Sequence, residues 1–116
     1  MEVAVIVTSN EDRSARATAR YPDAEVVSGV DRAWERIDLL VIASPNRSHA
    51  DLALAAVERD LPVVIDKPLA ATLDEAQAVV DAGGRVTVFQ NRRWDGDFLT
   101  LRAILEEGRL GEVVRF

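Results

Sequence analysis

The sequence predicts an α/β domain with a doubly wound parallel sheet of about five strands. Short β-branched runs alternate with helix-patterned stretches along all 116 residues, which is the arrangement of repeated βα units. The runs at 39–42 and 63–65 contain no alternating polar residues, as expected for central strands covered by helices on both faces. The length is that of a single domain with its own core.

The strands are predicted from these runs in chain order. They lie at 3–7, 26–27, 39–42, 63–65, 86–89 and 113–116. The last run, from Val113 to Phe116, follows the glycines at 108 and 111, which loosen the chain after the last helix. We therefore expect this final strand to join a different sheet.

Helix starts are predicted from hydroxyl residues that precede a carboxylate by three positions, the spacing of an N-cap. The pairs are Ser28 with Asp31, Ser48 with Asp51, and Thr72 with Glu75. Thr72 and Glu75 form the full capping-box pattern. Helices are expected to end at Gly83-Gly84 and at Gly108, because glycine adopts the left-handed conformation at a helix terminus without a steric cost.

Composition excludes several classes of protein. Hydrophobic residues make up 48% and charged residues 29% of a chain with a net charge of −6. That charge offers no basic surface for nucleic acid. Without cysteine, and with His49 as the only histidine, we expect neither disulfides nor a structural zinc site. The amino terminus has no signal-peptide pattern and no run is long enough to span a bilayer, so we predict a cytoplasmic protein without membrane contact.

Polar segments follow four of the predicted strands, at the sheet edge where open α/β proteins bind ligands. These segments are Thr8-Ser9-Asn10, Ser44-Pro45-Asn46, Asp66-Lys67-Pro68 and 90–94.

Together with neighbouring residues, these segments resemble motifs of the Gfo/Idh/MocA family of NAD(P)-dependent oxidoreductases. The sequence S-P-N-R-S-H at 44–49 is similar to the family's T-P-N-x-x-H, and D-K-P-L-A at 66–70 is similar to its E-K-P-L-A. N-R-R-W-D at 91–95 and E-G-R-L-G-E at 107–112 add support. The likeness covers nearly the whole chain and implies a Rossmann-like nucleotide-binding domain.

The resemblance implies roles for residues in two of these motifs. Lys67 matches the lysine that approaches the nicotinamide and the substrate hydroxyl, next to Asp66 and before an often cis bond to Pro68. Ser44, Pro45 and Asn46 match the lining of the nicotinamide pocket. A cationic lysine can stabilise a developing alkoxide while the cofactor transfers hydride. The alternative is a solvated lysine after a strand.

Thr8, Ser9 and Asn10, with Arg13 one turn later, match the position that meets the adenosine ribose. Because this stretch has hydroxyls and an arginine where an acidic residue would select NAD, the residues slightly favour NADP. The alternative is that Asn10 simply caps a helix.

Other candidates from the cofactor pocket carry competing interpretations. His49 lies at the first turn of a predicted helix, whose dipole favours a neutral ring; packing with backbone hydrogen bonds is a stronger interpretation than acid-base work. Arg92, Arg93 and Trp94 could contact cofactor or substrate. Alternatively, one of the arginines at 92–93 forms a surface ion pair with Trp94 packed beneath it.

The resemblance also predicts a partial enzyme. The printed sequence contains no G-x-G-x-x-G turn, so we interpret 1–111 as a truncated nucleotide-binding domain and 112–116 as the start of a substrate-domain sheet. If the strands close over the missing one, their order becomes 2-1-3-4-5, as in flavodoxin. The family acts on a small sugar- or polyol-like molecule.

The sequence leaves three hypotheses for the function of the chain alone. The first is a truncated oxidoreductase without activity of its own, the second is a cofactor-free interaction module, and the third is a bare folding scaffold of flavodoxin-like topology. We also expect Val113 to Phe116 to pair with another copy of the chain.

Overall fold

The computed structural model describes residues 2–115, which form five strands and four α-helices. The strands are β1 (Val5–Val7), β2 (Glu25–Val27), β3 (Leu40–Ile42), β4 (Val63–Asp66) and β5 (Val86–Phe89). The helices are α1 (Glu11–Arg20), α2 (His49–Val57), α3 (Leu73–Ala82) and α4 (Gly96–Glu106). Short 3-10 turns lie at Val30–Arg32, Trp34–Arg36, Asn46–Ser48 and Asn91–Trp94.

All strand pairs are parallel, as the alternation of strands and helices predicted. Within residues 2–115 the strands form two sheets, one of β1 and β2 and one in the order β3-β4-β5. The flavodoxin-like order 2-1-3-4-5 is therefore wrong for this structure, because it requires β1 to pair with β3. Helix α1 packs chiefly on β2, whereas α2 packs on β3, β4 and α3, so these helices do not draw the two sheets together.

The core lies on one face of the three-stranded sheet, under α2 and α3. Its buried members are Ile42, Ala50, Ala53, Ala56, Val63, Ile65 and Val79. The opposite face is open, since Val41 and Phe89 are each 57% exposed. The expectation that helices cover both faces of these strands is met on one face only among the described residues.

The predicted helix caps differ in outcome. The capping box is confirmed, because the Thr72 hydroxyl accepts from the Glu75 N–H at 3.3 Å and the Glu75 carboxylate accepts from the Thr72 N–H at 3.1 Å. Helix α2 begins after Ser48 without a side-chain cap. Ser28 precedes only the 3-10 turn Val30–Arg32.

The carboxyl-terminal part of the chain is loosely packed. Helix α4 has no buried residue, and residues 113–115 form no strand, with Val114 89% exposed. The strand predicted at 113–116 is thus wrong for 113–115, because none of the five described strands pairs with these residues; Phe116 lies outside the described residues. No helix within 2–115 is long and apolar enough to cross a membrane.

Candidate functional site

A groove of about 490 Å³ lies at the carboxyl ends of β3, β4 and β5. Its lining residues are Val41, Ile42, Ala43, Val64, Asp66, Lys67, Phe89 and Asn91. Because successive side chains of a strand point to opposite faces, Val41 and Val64 form an apolar floor on the open face of the sheet. Lys67 and Asn91 add polar groups at the end of that floor, as expected for a site at the carboxyl edge.

Lys67 is held at the groove by its own strand end. The Asp66 carboxylate accepts a hydrogen bond from the Lys67 backbone N–H at 2.9 Å, and the Lys67–Pro68 peptide bond is cis, as the resemblance implied. No carboxylate among the described residues lies within ion-pair distance of the Lys67 ammonium. Its three N–H donors are therefore available to a ligand.

The loop after β3 is fixed by internal hydrogen bonds. The Ser48 hydroxyl donates to the Pro45 carbonyl at 2.8 Å, and its oxygen lies 2.7 Å from the Ser44 hydroxyl. This pairing occupies Ser44 within the protein and leaves Pro45 and Asn46 exposed. None of Ser44, Pro45 and Asn46 lines the groove beside Lys67. The residue of this segment that lines the groove is Ala43.

His49 is buried beneath this loop, with 1% of the residue exposed. Its Nδ1 lies 2.8 Å from the Pro68 carbonyl oxygen and its Nε2 lies 2.8 Å from the Ser44 carbonyl oxygen. Both ring nitrogens thus face backbone carbonyls. This agrees with the interpretation of His49 as a packed, backbone-bonded residue and leaves no ring nitrogen for a cofactor.

The turn after β5 separates its two arginines. Arg92 lies 2.6 Å from the Asp95 carboxylate, and this hydrogen bond and the negative charge of Asp95 raise the pKa of Arg92. Arg93 has no such partner among the described residues. Trp94 is 77% exposed, so it does not pack beneath an arginine as the alternative interpretation expected. Neither Arg93 nor Trp94 lines the groove, whereas Asn91 does.

A second groove, of about 780 Å³, lies between α1 and the end of β2. Thr8, Ser9 and Asn10 line it, as do Arg32 and Glu11. Asn10 also caps α1, because its side chain accepts from the Arg13 N–H at 2.9 Å, so the capping alternative is confirmed.

The cation of this second groove differs from the predicted one. The side chain of Arg13 is not part of the lining, which contains Arg32, 3.7 Å from the Glu25 carboxylate. Sequence reasoning missed Arg32 because it lies on a 3-10 turn beyond β2, far from the motif residues at 8–10. Its place in the segment that follows the predicted strand at 26–27 was the available signal.

Grooves at the carboxyl ends of parallel strands are where open α/β proteins, dinucleotide-binding ones among them, bind their ligands. The comparisons with known proteins agree. Residues 1–88 match the model of the oxidoreductase family with an NAD-binding Rossmann fold, GFO_IDH_MocA. The chain belongs to this family, as the motifs at 44–49 and 66–70 indicated.

Individual relatives show the same likeness over nearly the whole chain. The oxidoreductase YdgJ of Escherichia coli is 46% identical over 99% of this chain and 34% of its own length. The scyllo-inositol 2-dehydrogenase (NADP(+)) IolW of Bacillus subtilis is 31% identical over 97% of this chain and 32% of its own. The chain therefore spans about a third of the length of the curated relatives it matches.

A solved structure supports the fold directly. An oxidoreductase from Agrobacterium radiobacter, in complex with NAD⁺, L-tartaric acid and magnesium, has a TM-score of 0.82 and 25% identity. The match covers 94% of this chain and 34% of that one. The Rossmann-like fold is thus shown at the level of coordinates as well as sequence.

Proposed function

We propose that this chain carries the nicotinamide end of an oxidoreductase site, where hydride passes between NAD(P) and a hydroxyl-bearing carbon of a sugar- or polyol-like substrate. The carrying observation is Lys67, whose ammonium has no carboxylate partner among residues 2–115 and stands beside an apolar groove. The name of the relative IolW, an inositol dehydrogenase, supports a polyol substrate class.

The residues of the groove have distinct tasks in this proposal. A bound nicotinamide would supply the hydride chemistry. The Lys67 ammonium donates a hydrogen bond to the substrate oxygen and stabilises the negative charge that this oxygen gains as its proton leaves, before departure of hydride from the carbon turns it into a carbonyl oxygen. Val41 and Val64 exclude water from one side of the reacting atoms. The Asp66 carboxylate accepts a hydrogen bond from the Lys67 backbone N–H, and Lys67 is the cation of the groove that meets the oxygen.

The described residues fit the two ends of a dinucleotide better than its middle. The groove at Lys67 suits the nicotinamide, and the groove at Ser9 and Arg32 suits the adenosine ribose. None of the four described helices begins behind a turn of several glycines, the usual cradle for a pyrophosphate. We therefore propose that the chain alone binds the cofactor weakly and does not turn over substrate.

The adenosine end supports a preference for NADP. Arg32 places a cation in a groove that also contains the hydroxyls of Thr8 and Ser9. A guanidinium is well suited to a 2′-phosphate, which it can contact through two N–H groups. Glu11 lies in the same groove and opposes this preference electrostatically. We propose that Arg32 prevails because the hydroxyls add donors to the phosphate.

Titration of the chain with NADPH and NADH, followed by tryptophan fluorescence, tests the proposal. We expect saturable binding that Lys67→Ala weakens at least about tenfold, equivalent to about 1.4 kcal/mol. Arg109→Ala is the matched control, because it removes one positive charge outside both grooves. A dissociation constant of 1 mM corresponds to a binding free energy of about −4 kcal/mol. If no binding is seen at millimolar cofactor, the proposal is excluded for this chain.

The open sheet face favours a second candidate, a cofactor-free interaction module. Val41 and Phe89 expose apolar surface there, and Phe98 and Leu101 do so on α4. Under this alternative neither cofactor binds, and the chain retains its fold without a ligand. The same titration distinguishes the two functions, since saturable binding lost with Lys67→Ala contradicts the module.

Two further proposals concern self-association and location in the cell. We propose that Val113 and Val114, both exposed, contribute to contact between copies, and that the protein resides in the cytoplasm. Deletion of 113–116 should then lower the mass measured by sedimentation. If the full chain is already a monomer, and the deletion lowers its mass only by that of the residues removed, the contact between copies is contradicted.

A further inference from the structure

Asn91 lines the same groove as Lys67, and the proposed function gives it no task. It begins the 3-10 turn after β5. Its side chain makes no hydrogen bond with any other residue among 2–115. Arg92 beside it differs, because its guanidinium is bonded to the Asp95 carboxylate. The donors and the acceptor of the Asn91 amide are therefore available to a ligand.

The groove is lined by three polar side chains, which differ in their capacity for hydrogen bonds. The Lys67 ammonium only donates, and an ionised Asp66 carboxylate only accepts, with one oxygen already bonded to the Lys67 N–H. Asn91 carries a neutral amide, which donates from its nitrogen and accepts at its oxygen. The remaining lining residues are apolar. Among the residues that line this groove, Asn91 is thus the one whose side chain both donates and accepts.

We infer that Asn91 binds the carboxamide of the nicotinamide through a pair of hydrogen bonds. A carboxamide has the same donors and acceptor as the asparagine side chain, so the two groups pair through two parallel N–H···O contacts. Neither a cation nor a carboxylate forms both contacts, and a single hydroxyl of the substrate would not use both. The inference rests on the proposed function, to which it adds a residue that recognises the reactive end of the cofactor.

The position of Asn91 relative to Lys67 suits this contact. Asp66 pairs with Phe89 in the register of β4 and β5, so Lys67 and Asn91 follow the ends of neighbouring strands by one and two residues. Neighbouring strands lie about 4.8 Å apart. In nicotinamide, the carboxamide is attached to the ring carbon next to the one that exchanges hydride. The residue that binds the carboxamide must therefore lie close to the one that meets the substrate oxygen, as Asn91 does.

The apolar part of the groove favours a ring beside this amide. Val41, Val64 and Phe89 line the groove together with Asn91, so a flat ring buries one face against apolar side chains. A carboxamide on that ring loses hydrogen bonds with water, and an amide left unpaired there costs binding free energy. Asn91 replaces those lost bonds. It therefore selects a ring that bears a carboxamide over one that does not.

Titration of the full chain with NADP⁺ and with its 3-acetylpyridine analogue, followed by nuclear magnetic resonance, tests the inference. The analogue has a methyl group in place of the carboxamide NH₂, so it accepts a hydrogen bond but donates none. We expect NADP⁺ to bind about fivefold more tightly than the analogue, the effect of one hydrogen bond. This preference should disappear in Asn91→Ala. Gln90→Ala is the matched control and should keep the preference, because Gln90 is the neighbouring amide and does not line the groove.

The outcomes separate this contact from the proposed function. If Lys67→Ala weakens NADP⁺ binding but Asn91→Ala keeps the preference over the analogue, the contact is wrong and the proposed function stands. The same result is expected if Asn91 meets only the substrate. If neither dinucleotide binds at millimolar concentration, both are overturned. Should Asn91→Ala fail to fold, the side-chain amide signal of Asn91 in the original chain decides, since NADP⁺ should shift it and an unmoved signal contradicts the contact.

Discussion

Arg32 and Arg13 illustrate how a single side chain is assigned to a site by the fold. Arg13 lies one turn after the motif residues 8–10, yet only its backbone N–H is used, as the donor to the Asn10 cap. Arg32 reaches the same groove from the turn after β2. Its ion pair with Glu25 is solvent-exposed, and such pairs contribute little to stability, so Arg32 can turn to a phosphate at low cost.

We predict that Arg32→Ala weakens NADPH binding about tenfold, or about 1.4 kcal/mol, and leaves NADH binding nearly unchanged. The reason is that the 2′-phosphate loses its guanidinium partner, whereas NADH has no such phosphate. Calorimetric titration with both cofactors measures the effect. Arg13→Ala is the matched control; a larger loss of NADPH affinity in that variant would restore the assignment made from the sequence.

Lys67 was identifiable from the sequence for a physical reason. It comes one residue after an apolar run, and the end of a buried parallel strand faces the binding edge of the sheet. Arg32 and the contacts of His49 were not identifiable in this way. They depend on segments that meet in space, such as His49 and Pro68, which are 19 residues apart.

Helix α3 shows how a local signal fixes the start of an element. The reciprocal hydrogen bonds between Thr72 and Glu75 satisfy two backbone donors that the first turn cannot pair. Gly83 ends the helix with a φ of +71°, in the left-handed region that favours glycine. Both ends of α3 were therefore readable from residues close in sequence.

We predict that Thr72→Ala lowers the free energy of unfolding by about 1 kcal/mol, the usual cost of losing an N-cap hydroxyl. Thr18→Ala is the control, because the Thr18 hydroxyl donates within helix α1, to the Ser14 carbonyl, and caps no terminus. The control should change stability by no more than about 0.5 kcal/mol. Urea denaturation measures both variants, and equal losses would contradict a specific role for the capping box.

The other elements show where local signals fail. Helix α1 has no buried residue, and alanine is its only apolar residue type, so only the cap at Asn10 indicated it. The run at 113–116 has a strand-like composition, but composition cannot supply a partner strand. Each of the five observed strands was predicted within two residues of its bounds, because each is an apolar run between helix signals.

At the scale of the whole molecule, the radius of gyration is 18.5 Å, whereas a compact chain of this length has about 13 Å. The separation of the two sheets and the loose packing of α4 account for the larger value. One edge of β1 and one edge of β3 have no partner among the described strands. An additional parallel strand between them would complete a single sheet.

We predict that fusing a short apolar strand, a glycine-rich turn and a helix to the amino end raises the free energy of unfolding by at least about 3 kcal/mol. Burying two valine-sized side chains contributes about 1.5 kcal/mol each or more. The radius of gyration should fall, as measured by small-angle X-ray scattering. A fusion whose strand residues are replaced by serine is the control, and equal values for both fusions would contradict insertion between the sheets.

The division into two sheets also affects how the chain opens. The half containing β1 and β2 has Val27 as the buried residue of its strands, and an isolated pair of strands is marginally stable in water. No backbone hydrogen bonds join β1 to β3, so the unfolding of β1 and β2 does not break the pairing of β3 with β4. This half can therefore open while the amides of β4 stay protected from exchange. Deuterium should therefore exchange first at β1 and β2 and last at Ile65, so a single unfolding transition would describe only the half that contains Lys67.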